Sequence, residues 1–476
     1  MTRLAGLETE YGCLAAEPSG AQDLIRRVRD WLFLENRYGL IDQHQRDWDE
    51  PAGNGGFLFN GGRAYIDMGH LELCTAECLS LQDLINHDRA NDALIMEALG
   101  SLGFRERIGF IRNNVDHYSG ATFGCHENYL VRRAAPLTER NVLSLLAFLT
   151  VRVLMCGAGK VGTTSSIESR SPSESVSESL PFQLSQRADY IQNELFEWVQ
   201  FNRAIINTRD EPLADARKFR RLHLLHGDTS VLPTTLALKV GTTALVLDLL
   251  EVDQLPDLAL ADSVGTFREL SRHPGGPWQI PLADGGEMDG VELLLQYQMA
   301  AQREFAGRDT ETALILTEWK RTLDALANRP DDLVGRVDWV TKRWLFTQFV
   351  AAENISWNSP WLRSQDLEFH HVDPERNLAE PLADQAAPWQ PSEAALLAAK
   401  SQPPPDTRAA IRSRVMRLLA GEGRGCFVDW EVVDTEGVNP LMLLNPFESS
   451  ADVADRWIDD VRLAPPPTRS RLSPSR

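Results

Sequence analysis

The stretch from residue 57 to residue 67 constrains the fold most, because it joins two strand patterns through a turn suited to a hairpin. Residues 57–59 and 63–67 have strand composition, and Asn60-Gly61-Gly62 between them tolerates the positive φ of tight hairpin turns. Side chains alternate along a strand, so Tyr65 and Asp67 would share one face. If that face lines a cleft, a phenol and a carboxylate converge there. Taken alone, the stretch fits a solvated strand face better.

Charge and cysteine usage narrow the class of protein. The 476 residues carry a formal net charge of -20, which argues against a nucleic-acid binder. The six cysteines include no CxxC pair, and Cys74 and Cys78 are four apart, so neither a disulfide framework nor a zinc site is predicted. No apolar run reaches the ~18 residues of a membrane span, and no signal peptide is evident. We therefore expect a soluble cytoplasmic protein without membrane contact.

Two further segments place polar side chains on strands. Glu8 and Glu10 would share one face of an opening strand, where their like charges would repel each other by up to about 1 kcal/mol. A divalent cation bound between them would turn this repulsion into a net attraction. A solvated strand face is the alternative. Further on, His126-Glu127-Asn128 runs into the strand-like Tyr129-Leu130-Val131. Because buried His and Asn side chains need partners, a metal ion or a phosphate would satisfy them.

A basic segment interrupts this acidic chain. Its cationic residues are Arg203, Arg209, Arg217, Lys218, Arg220, Arg221, His223 and His226. Nearby acidic residues could neutralise a solvated face of this kind. However, the cationic residues alternate with apolar ones, which indicates strands that enter the core. Partly buried Arg and His side chains need an anion, and phosphate is the natural candidate.

The remaining segments give the domain plan. Residues 157–162 match GxGxxG, but a predicted helix precedes them and a Ser-rich loop at 163–179 follows, so a dinucleotide site is not predicted. Residues 234–250 fit a strand, a glycine turn at Gly241 and then a helix. From residue 291 the chain is mainly helical. Proline-rich sequence near 381–407 marks a boundary. We expect a catalytic domain at 1–396, a small C-terminal domain at 397–463 and a disordered tail at 464–476.

The polar residues together suit one kind of chemistry. Hard oxygen ligands suit Mg2+, and the basic group suits nucleotide phosphates. The combination is compatible with phosphoryl transfer from a metal-bound nucleotide, in which the protein mainly positions groups and neutralises charge.

Several motifs carry a resemblance to a known family. They are Leu7-Glu8-Thr9-Glu10-Tyr11-Gly12, Asn60-Gly61-Gly62-Arg63-Ala64-Tyr65-Ile66-Asp67, Thr75-Ala76-Glu77-Cys78, Gly124-Cys125-His126-Glu127-Asn128-Tyr129, Gln183-Leu184-Ser185-Gln186-Arg187 and Ile205-Ile206-Asn207-Thr208-Arg209-Asp210-Glu211-Pro212. In this order they resemble the family of Pup ligase (proteasome accessory factor A) and Pup deamidase/depupylase. The match runs from near residue 4 to about residue 450.

The resemblance implies an α+β, glutamine-synthetase-like carboxylate-amine ligase fold, with an antiparallel sheet as a cradle, helices and a small C-terminal domain. It implies ATP and Mg2+ bound over the sheet. By motif, the metal residues are Glu8, Glu10, Tyr65, Glu72 and His126, the nucleotide residues are Arg209, His223, Asn128 and Trp430, and the catalytic residue is Asp67. Where the family usually has His-Pro-Glu-Tyr, this chain has His70-Leu71-Glu72-Leu73.

The family contains two activities. In the ligase, ATP activates the side-chain carboxylate of a modifier's C-terminal glutamate as an acyl phosphate, and a substrate lysine attacks it with the aspartate as base. In the hydrolase, the same site cleaves the C-terminal glutamine amide or the isopeptide bond. The short stretch from 34 to 57 and the segments 156–160, 338–343 and 428–430 resemble the ligase. Segments 113–116, 241–248 and 353–357 are closer to the hydrolase.

We therefore expect an ATP- and Mg-dependent ligase that joins a Pup-like modifier to protein lysines, with the deamidase/depupylase as the alternative. A small-molecule carboxylate-amine ligase on the same fold would need a closed pocket instead of a groove. A paralogue that only binds is disfavoured, because Asp67 and the acidic and basic positions match the motif. The expected partners are a Pup-like modifier and lysine-bearing proteins, with no nucleic acid.

Overall fold

The computed structural model describes residues 3–15, 18–46, 50–117, 120–162, 181–198 and 203–464. Their strands are β1 (Ala5–Leu14), β2 (Gly39–Ile41), β3 (Gly55–Leu58), β4 (Arg63–Asp67), β5 (His70–Cys74), β6 (Gly109–Ile111), β7 (Cys125–Arg132), β8 (Lys160–Val161), β9 (Phe182–Gln183), β10 (Asn193–Phe196), β11 (Ala204–Asn207), β12 (Phe219–Leu224), β13 (Gln279–Pro281), β14 (Glu287–Asp289), β15 (Cys426–Val428), β16 (Val432–Thr435) and β17 (Leu441–Met442).

Helices make up most of the rest of these residues. They are α1 (Pro18–Asp30), α2 (Leu81–Ser101), α3 (Glu139–Val151), α4 (Val153–Cys156), α5 (Pro233–Glu251), α6 (Ser263–Arg272), α7 (Gly290–Phe305), α8 (Thr310–Asn328), α9 (Asp338–Glu353), α10 (Pro360–Phe369), α11 (Glu393–Ser401), α12 (Arg408–Glu422) and α13 (Ala451–Leu463). A π turn at Trp31–Glu35 and short 3-10 turns at Ala188–Tyr190, Pro330–Leu333 and Glu380–Leu382 connect some of them.

One large sheet organises the described chain. Its strand order is β10-β11-β12-β7-β1-β5-β4-β3-β2, and β6 pairs with the end of β1. Neighbouring strands are antiparallel except β10 and β11, which are parallel. The expected antiparallel sheet with helices is therefore confirmed.

The two faces of this sheet have different compositions because side chains alternate along each strand. One face is apolar: Leu7 and Tyr129 pack in the core around α5, whereas Tyr11 and Leu71 pack against α1 and α2. The opposite face carries the acidic and histidine side chains described below. Burial of the apolar face therefore fixes which residues the other face presents.

The hairpin predicted from residues 57–67 is confirmed. Strands β3 and β4 pair with Gly55 opposite Tyr65. In the turn, the Gly61 amide donates to the Leu58 carbonyl at 3.0 Å, and Gly61 has a φ of +88°. The glycine takes the left-handed conformation that the turn requires. The chain continues through a second tight turn into β5, so β4 lies between two strands and is held on both edges.

The prediction for residues 234–250 is wrong. The segment is one helix, α5, in which Gly241 is an interior residue. A Cβ at this position would lie 2.7 Å from the Ile315 side chain and 2.8 Å from that of Leu81, so the glycine allows neighbouring helices to approach closely. By length and composition α5 could span a membrane, but all of it is buried inside the fold. Burial on every side removes the amphipathic pattern from its sequence.

A small C-terminal unit packs on the hairpin. It consists of α12, α13 and the sheet β15-β16-β17, and its apolar core includes Phe57 and Phe59 of the hairpin. The boundary expected after residue 396 falls within α11, which packs against α2. The elements of the small unit therefore begin with α12. Except for Ala464, the predicted disordered tail lies outside the described residues, as does the Ser-rich tract. Residues 157–162 follow α4 and contain β8, so they follow a helix and not a strand.

Candidate active site

Three carboxylates from neighbouring strands converge on the polar face of the sheet. Glu10 of β1 lies opposite Glu72 of β5, and Glu72 lies opposite Tyr65 of β4. Asp67 is two residues further along β4 and shares the face of Tyr65. Carboxylate oxygens of Glu10, Asp67 and Glu72 lie within 4.8 Å of one another. We call these three residues the carboxylate cluster.

Ionising all three acids of the carboxylate cluster is electrostatically unfavourable. Burial raises the pKa of Glu72 well above its usual range, and the charges of Glu10, Glu8 and Asp67 raise it further, against the hydrogen bond from Tyr65. The Tyr65 hydroxyl donates this bond to the Glu72 carboxylate at 2.7 Å. Burial and the charge of Glu72 also raise the pKa of Tyr65. A cation between these carboxylates would stabilise their charged forms.

A second group, with one carboxylate and two imidazoles, lies beside the first. Glu8, His126 and His223 offer ligand atoms within 4.8 Å of one another. The His126 Nδ1 is 3.3 Å from the Glu8 carboxylate, and the Asn128 side-chain amide donates to the same carboxylate at 2.8 Å. Arg221 donates to the Asn128 side-chain carbonyl at 3.2 Å. We call Glu8, His126 and His223 the histidine cluster.

The histidine cluster differs electrostatically from the carboxylate cluster. Burial alone would raise the pKa of Glu8, but the His126 hydrogen bond and the charges of His223, His126 and Arg221 outweigh it and hold the pKa low. Burial lowers the pKa of His223 to about 3, against the attraction of Glu8. The buried Nε2 of His223 has no hydrogen-bond partner. A neutral imidazole with a free nitrogen next to an ionised carboxylate is a suitable ligand set for a cation.

Both clusters therefore fit divalent cations by their donor atoms. The three carboxylates form a hard oxygen set of the kind that Mg2+ prefers. The histidine cluster combines oxygen with imidazole nitrogen, which many divalent ions accept. Within the described residues, no further group of three such side chains comes this close together.

Asp67 lies at the end of β4, immediately before a tight turn. Met68 and Gly69 in this turn have φ values of 41° and 94°, and positive φ is uncommon for a residue with a side chain. The turn is tied down from outside, since the Asn54 side-chain amide donates to the Ile66 carbonyl at 2.6 Å and Gln22 donates to the Gly69 carbonyl at 3.0 Å. These bonds limit the movement of the Asp67 backbone relative to the sheet.

A cleft lies next to the histidine cluster. Its lining residues include Glu8, Asn128, Arg221, Arg408 and Trp430. The Trp430 ring belongs to the small C-terminal unit and meets the Phe57 ring edge-on, with centroids 5.1 Å apart. The cleft thus combines an aromatic side chain with cationic and acidic groups, a mixture that suits a nucleotide.

The basic segment does not act as one group. Arg221 and His223 face the site from β12, whereas Arg217 is 88% exposed and pairs with Asp215. His226 is buried on the other side of the sheet, where its Nε2 lies 3.0 Å from the Leu149 carbonyl. The basic segment is therefore divided between the two faces of the sheet, and only part of it lies at the site. Neighbouring positions on β12 alternate between its faces, and His226 follows the end of the strand.

Of the predicted nucleotide residues, Arg209 is the most exposed. Its guanidinium is 54% exposed and lies 2.7 Å from the Glu211 carboxylate, which also faces Arg221 at 3.6 Å. Arg209 therefore lies at the rim of the site, with Glu211 between it and Arg221. The sequence analysis named Arg221 only as a member of the basic segment, although its place two residues before His223 on one strand puts both on one face.

Sequence comparisons identify relatives of this chain. A family model described as Pup-ligase protein matches residues 3–434. The Pup–protein ligase of Acidimicrobium ferrooxidans is 34% identical over 482 residues, which cover 96% of this chain and 99% of that protein. A depupylase of Acidothermus cellulolyticus is 32% identical over 489 residues, covering 94% of each chain.

Solved structures give the same result. A crystal structure of the prokaryotic ubiquitin-like protein Pup with its ligase PafA matches with a TM-score of 0.81 and 30% identity, covering 97% of this chain and 93% of that one. A structure of the Pup ligase PafA with ADP matches with a TM-score of 0.76 and 32% identity, over 88% of this chain and 92% of that one.

Proposed function

This chain belongs to the Pup-ligase protein family, and we propose that it uses ATP to join the C-terminal glutamate of a Pup-like modifier to lysine side chains of proteins. It is an ATP-dependent ligase of the Pup ligase type. The observation that carries the proposal is that Asp67, Glu10 and Glu72 converge beside the histidine cluster on the polar face of the sheet, in a chain that matches a Pup ligase structure over 97% of its length.

We assign Mg2+ to the acidic and histidine side chains on this face. Glu10 and Glu72 would hold one ion with Tyr65, whose hydroxyl orients Glu72. Glu8 and His126 would hold another, with the free Nε2 of His223 close by. When bound, Mg2+ supplies positive charge that screens phosphate oxygens from these carboxylates.

ATP would occupy the cleft between the histidine cluster and the small C-terminal unit. We assign contact with the nucleotide base to Trp430. We assign contact with the phosphates to Asn128, His223 and Arg209, and the structure adds Arg221 to this group. Residues 408–463 would then act as a small domain that closes one end of the nucleotide site. The aromatic wall suits a purine, because stacking is favourable for any base.

Asp67 is the proposed catalytic base, the group that removes a proton from the attacking amine. Its place at the edge of the carboxylate cluster would let it hold the ammonium group of an incoming lysine and accept its proton. The amine could then attack the activated carboxylate of the modifier, with phosphate as the leaving group. The turn that holds Asp67 would keep this carboxylate in place throughout the reaction.

The hydrolase is a second candidate, because a depupylase is 32% identical to this chain over 94% of its length. The same Asp67 could direct a water molecule at an isopeptide carbonyl. The two activities differ in their use of ATP. A ligase consumes one ATP for each bond, whereas hydrolysis of an amide needs no net ATP.

We place the reaction in the cytoplasm. All six cysteines are free thiols, as expected in a reducing compartment.

The test is to incubate the protein with Mg-ATP, a Pup-like peptide ending in Glu or Gln, and a lysine-bearing protein, followed by mass spectrometry. A conjugate whose mass corresponds to loss of water supports the ligase. Conversion of Gln to Glu without a conjugate would replace it with the hydrolase. In a parallel incubation with free amino acids, a product formed there alone would favour a small-molecule ligase.

A further inference from the structure

A buried ion triad joins the small C-terminal unit to the catalytic sheet. Glu77, which follows β5, accepts hydrogen bonds from Arg408 at 2.8 Å and from Arg412 at 2.9 and 2.6 Å. The side chains are at most 10% exposed. The two arginine charges outweigh burial and lower the pKa of Glu77 to about 2. We call Glu77, Arg408 and Arg412 the Glu77 triad.

Each arginine of the Glu77 triad also holds backbone that shapes the nucleotide cleft. Arg412 donates to the carbonyl of Trp430 at 2.9 Å and to the carbonyl of Gly61 in the hairpin turn at 2.8 Å. Arg408 donates to the carbonyl of Leu213 at 2.6 Å. Leu213 has a φ of 49°, a conformation that costs free energy for a residue with a side chain, and it lines the same cleft.

The Arg412 guanidinium lies next to two aromatic rings as well. Its carbon is 5.2 Å from the centre of the Phe57 ring and 5.1 Å from that of Trp430. One side chain therefore contacts the sheet acid, the hairpin turn, the indole ring and the indole's own backbone. Lysine could keep the charge beside Glu77, but it could not keep this planar set of contacts.

A role in stability alone does not account for the triad well. Buried ion pairs often contribute no more than apolar residues of similar volume, because desolvation offsets their attraction. Their best-supported use is to fix one arrangement of the parts they join. Here the parts are the sheet that carries Glu8 and the unit that carries Trp430, and the cleft lies between them.

We propose that Arg412 is a positioning residue for nucleotide binding, which acts through Trp430 by fixing the indole over the cleft from the Glu77 triad. This inference rests on the proposed function, in that the cleft is taken to bind a nucleotide. The inference predicts that the Glu77 triad sets the affinity for ATP and ADP. The reaction itself depends on the carboxylate cluster, which shares no residue with the triad.

The test is a double-mutant cycle read out as the Kd for Mg-ADP. The variants are Arg412→Lys, Trp430→Leu and the pair of both, measured by equilibrium dialysis. Arg412→Lys should weaken binding about tenfold or more, since hydrogen bonds to charged groups contribute roughly 1.5–3 kcal/mol. In the Trp430→Leu background, the same substitution should change Kd by less than about twofold.

Arg414→Ala is the matched control. Arg414 lies on α12 with Arg412, but its side chain is half exposed and pairs with Asp455 of α13. This variant should bind Mg-ADP as the unmodified protein does. If Arg412→Lys leaves Kd unchanged, or weakens binding equally in both backgrounds, Arg412 does not act through Trp430.

Kinetics separate positioning from general damage. In the ligation reaction, Arg412→Lys should raise the KM for ATP and leave kcat at saturating ATP within about threefold, whereas an equal loss in kcat would overturn the inference. If Arg412→Lys does not fold, Phe57→Leu takes its place in the cycle, since Phe57 contacts both Arg412 and Trp430. Binding of Mg-ADP without ligation would refute the ligase and leave this cycle valid.

Discussion

Replacing Glu72 by glutamine tests the carboxylate cluster directly. Two unit charges 4.8 Å apart repel by about 3.5 kcal/mol at an effective dielectric constant of ~20, and Glu72 faces both Glu10 and Asp67 at no more than this distance. Without a cation, ionisation of Glu72 is therefore unfavourable, in agreement with its raised pKa. Glutamine has nearly the shape of the neutral acid, so the free energy of unfolding in EDTA should change by less than about 1 kcal/mol.

The loss of stability in the Glu72→Gln variant should become visible when Mg2+ is present. A cation at 100 times its Kd stabilises the folded protein by about 2.7 kcal/mol. If loss of one carboxylate weakens the site tenfold, the same concentration stabilises Glu72→Gln by only about 1.4 kcal/mol. Urea unfolding with and without MgCl2 would measure this difference of roughly 1.3 kcal/mol.

The control for this experiment is Glu292→Gln, at an exposed position in the first turn of α7. It should respond to Mg2+ as the unmodified protein does. An equal gain in the Glu72→Gln variant would show that Glu72 does not bind the cation. A large loss of stability in EDTA would show that Glu72 is ionised and paired, contrary to the geometry.

Three other predictions address binding and stability. Glu8→Ala should weaken Mg-ATP binding at least about tenfold by removing the carboxylate of the histidine cluster, and calorimetry showing an unchanged Mg2+ dependence would exclude that role. Glu127→Gln should destabilise the fold by about 3–5 kcal/mol, because it breaks a buried ion pair with Arg152. In the unmodified protein, the pair lowers the pKa of Glu127 to about 2. Its contribution to stability should therefore be complete above pH 4.5 and be lost as the pH falls toward 2, as urea unfolding at a series of acidic pH values would show. Gly241→Ala should cost about 1–3 kcal/mol by overpacking the interface of α5, and thermal unfolding equal to that of the unmodified protein would contradict the close packing.

Local patterns predicted much of the site from the sequence. The alternation around Tyr65 and Asp67, the spacing of Glu8 and Glu10, and the strand that begins near His126 each depend on neighbouring residues only. The structure adds the register, which places these separate faces side by side.

Other features could not be predicted from short stretches of the sequence. Helix α5 is buried on all sides, so its sequence lacks the periodic pattern that distinguishes a helix from a strand. The pair between Glu77 and Arg412 joins residues 335 positions apart, and nothing near either residue indicates the other. Composition also does not tell which face of a strand each residue of the basic segment occupies.

The central claim is that one ATP is spent for each isopeptide bond, with Asp67 as the base. The most direct measurement is to quantify ADP and conjugate together during a single turnover, for the unmodified protein and for Asp67→Asn. The account predicts one ADP for each conjugate in the unmodified protein, and no conjugate in the variant although Mg-ATP still binds. Conjugate formation at an unreduced rate by Asp67→Asn, or conjugate without matching ADP, would contradict it.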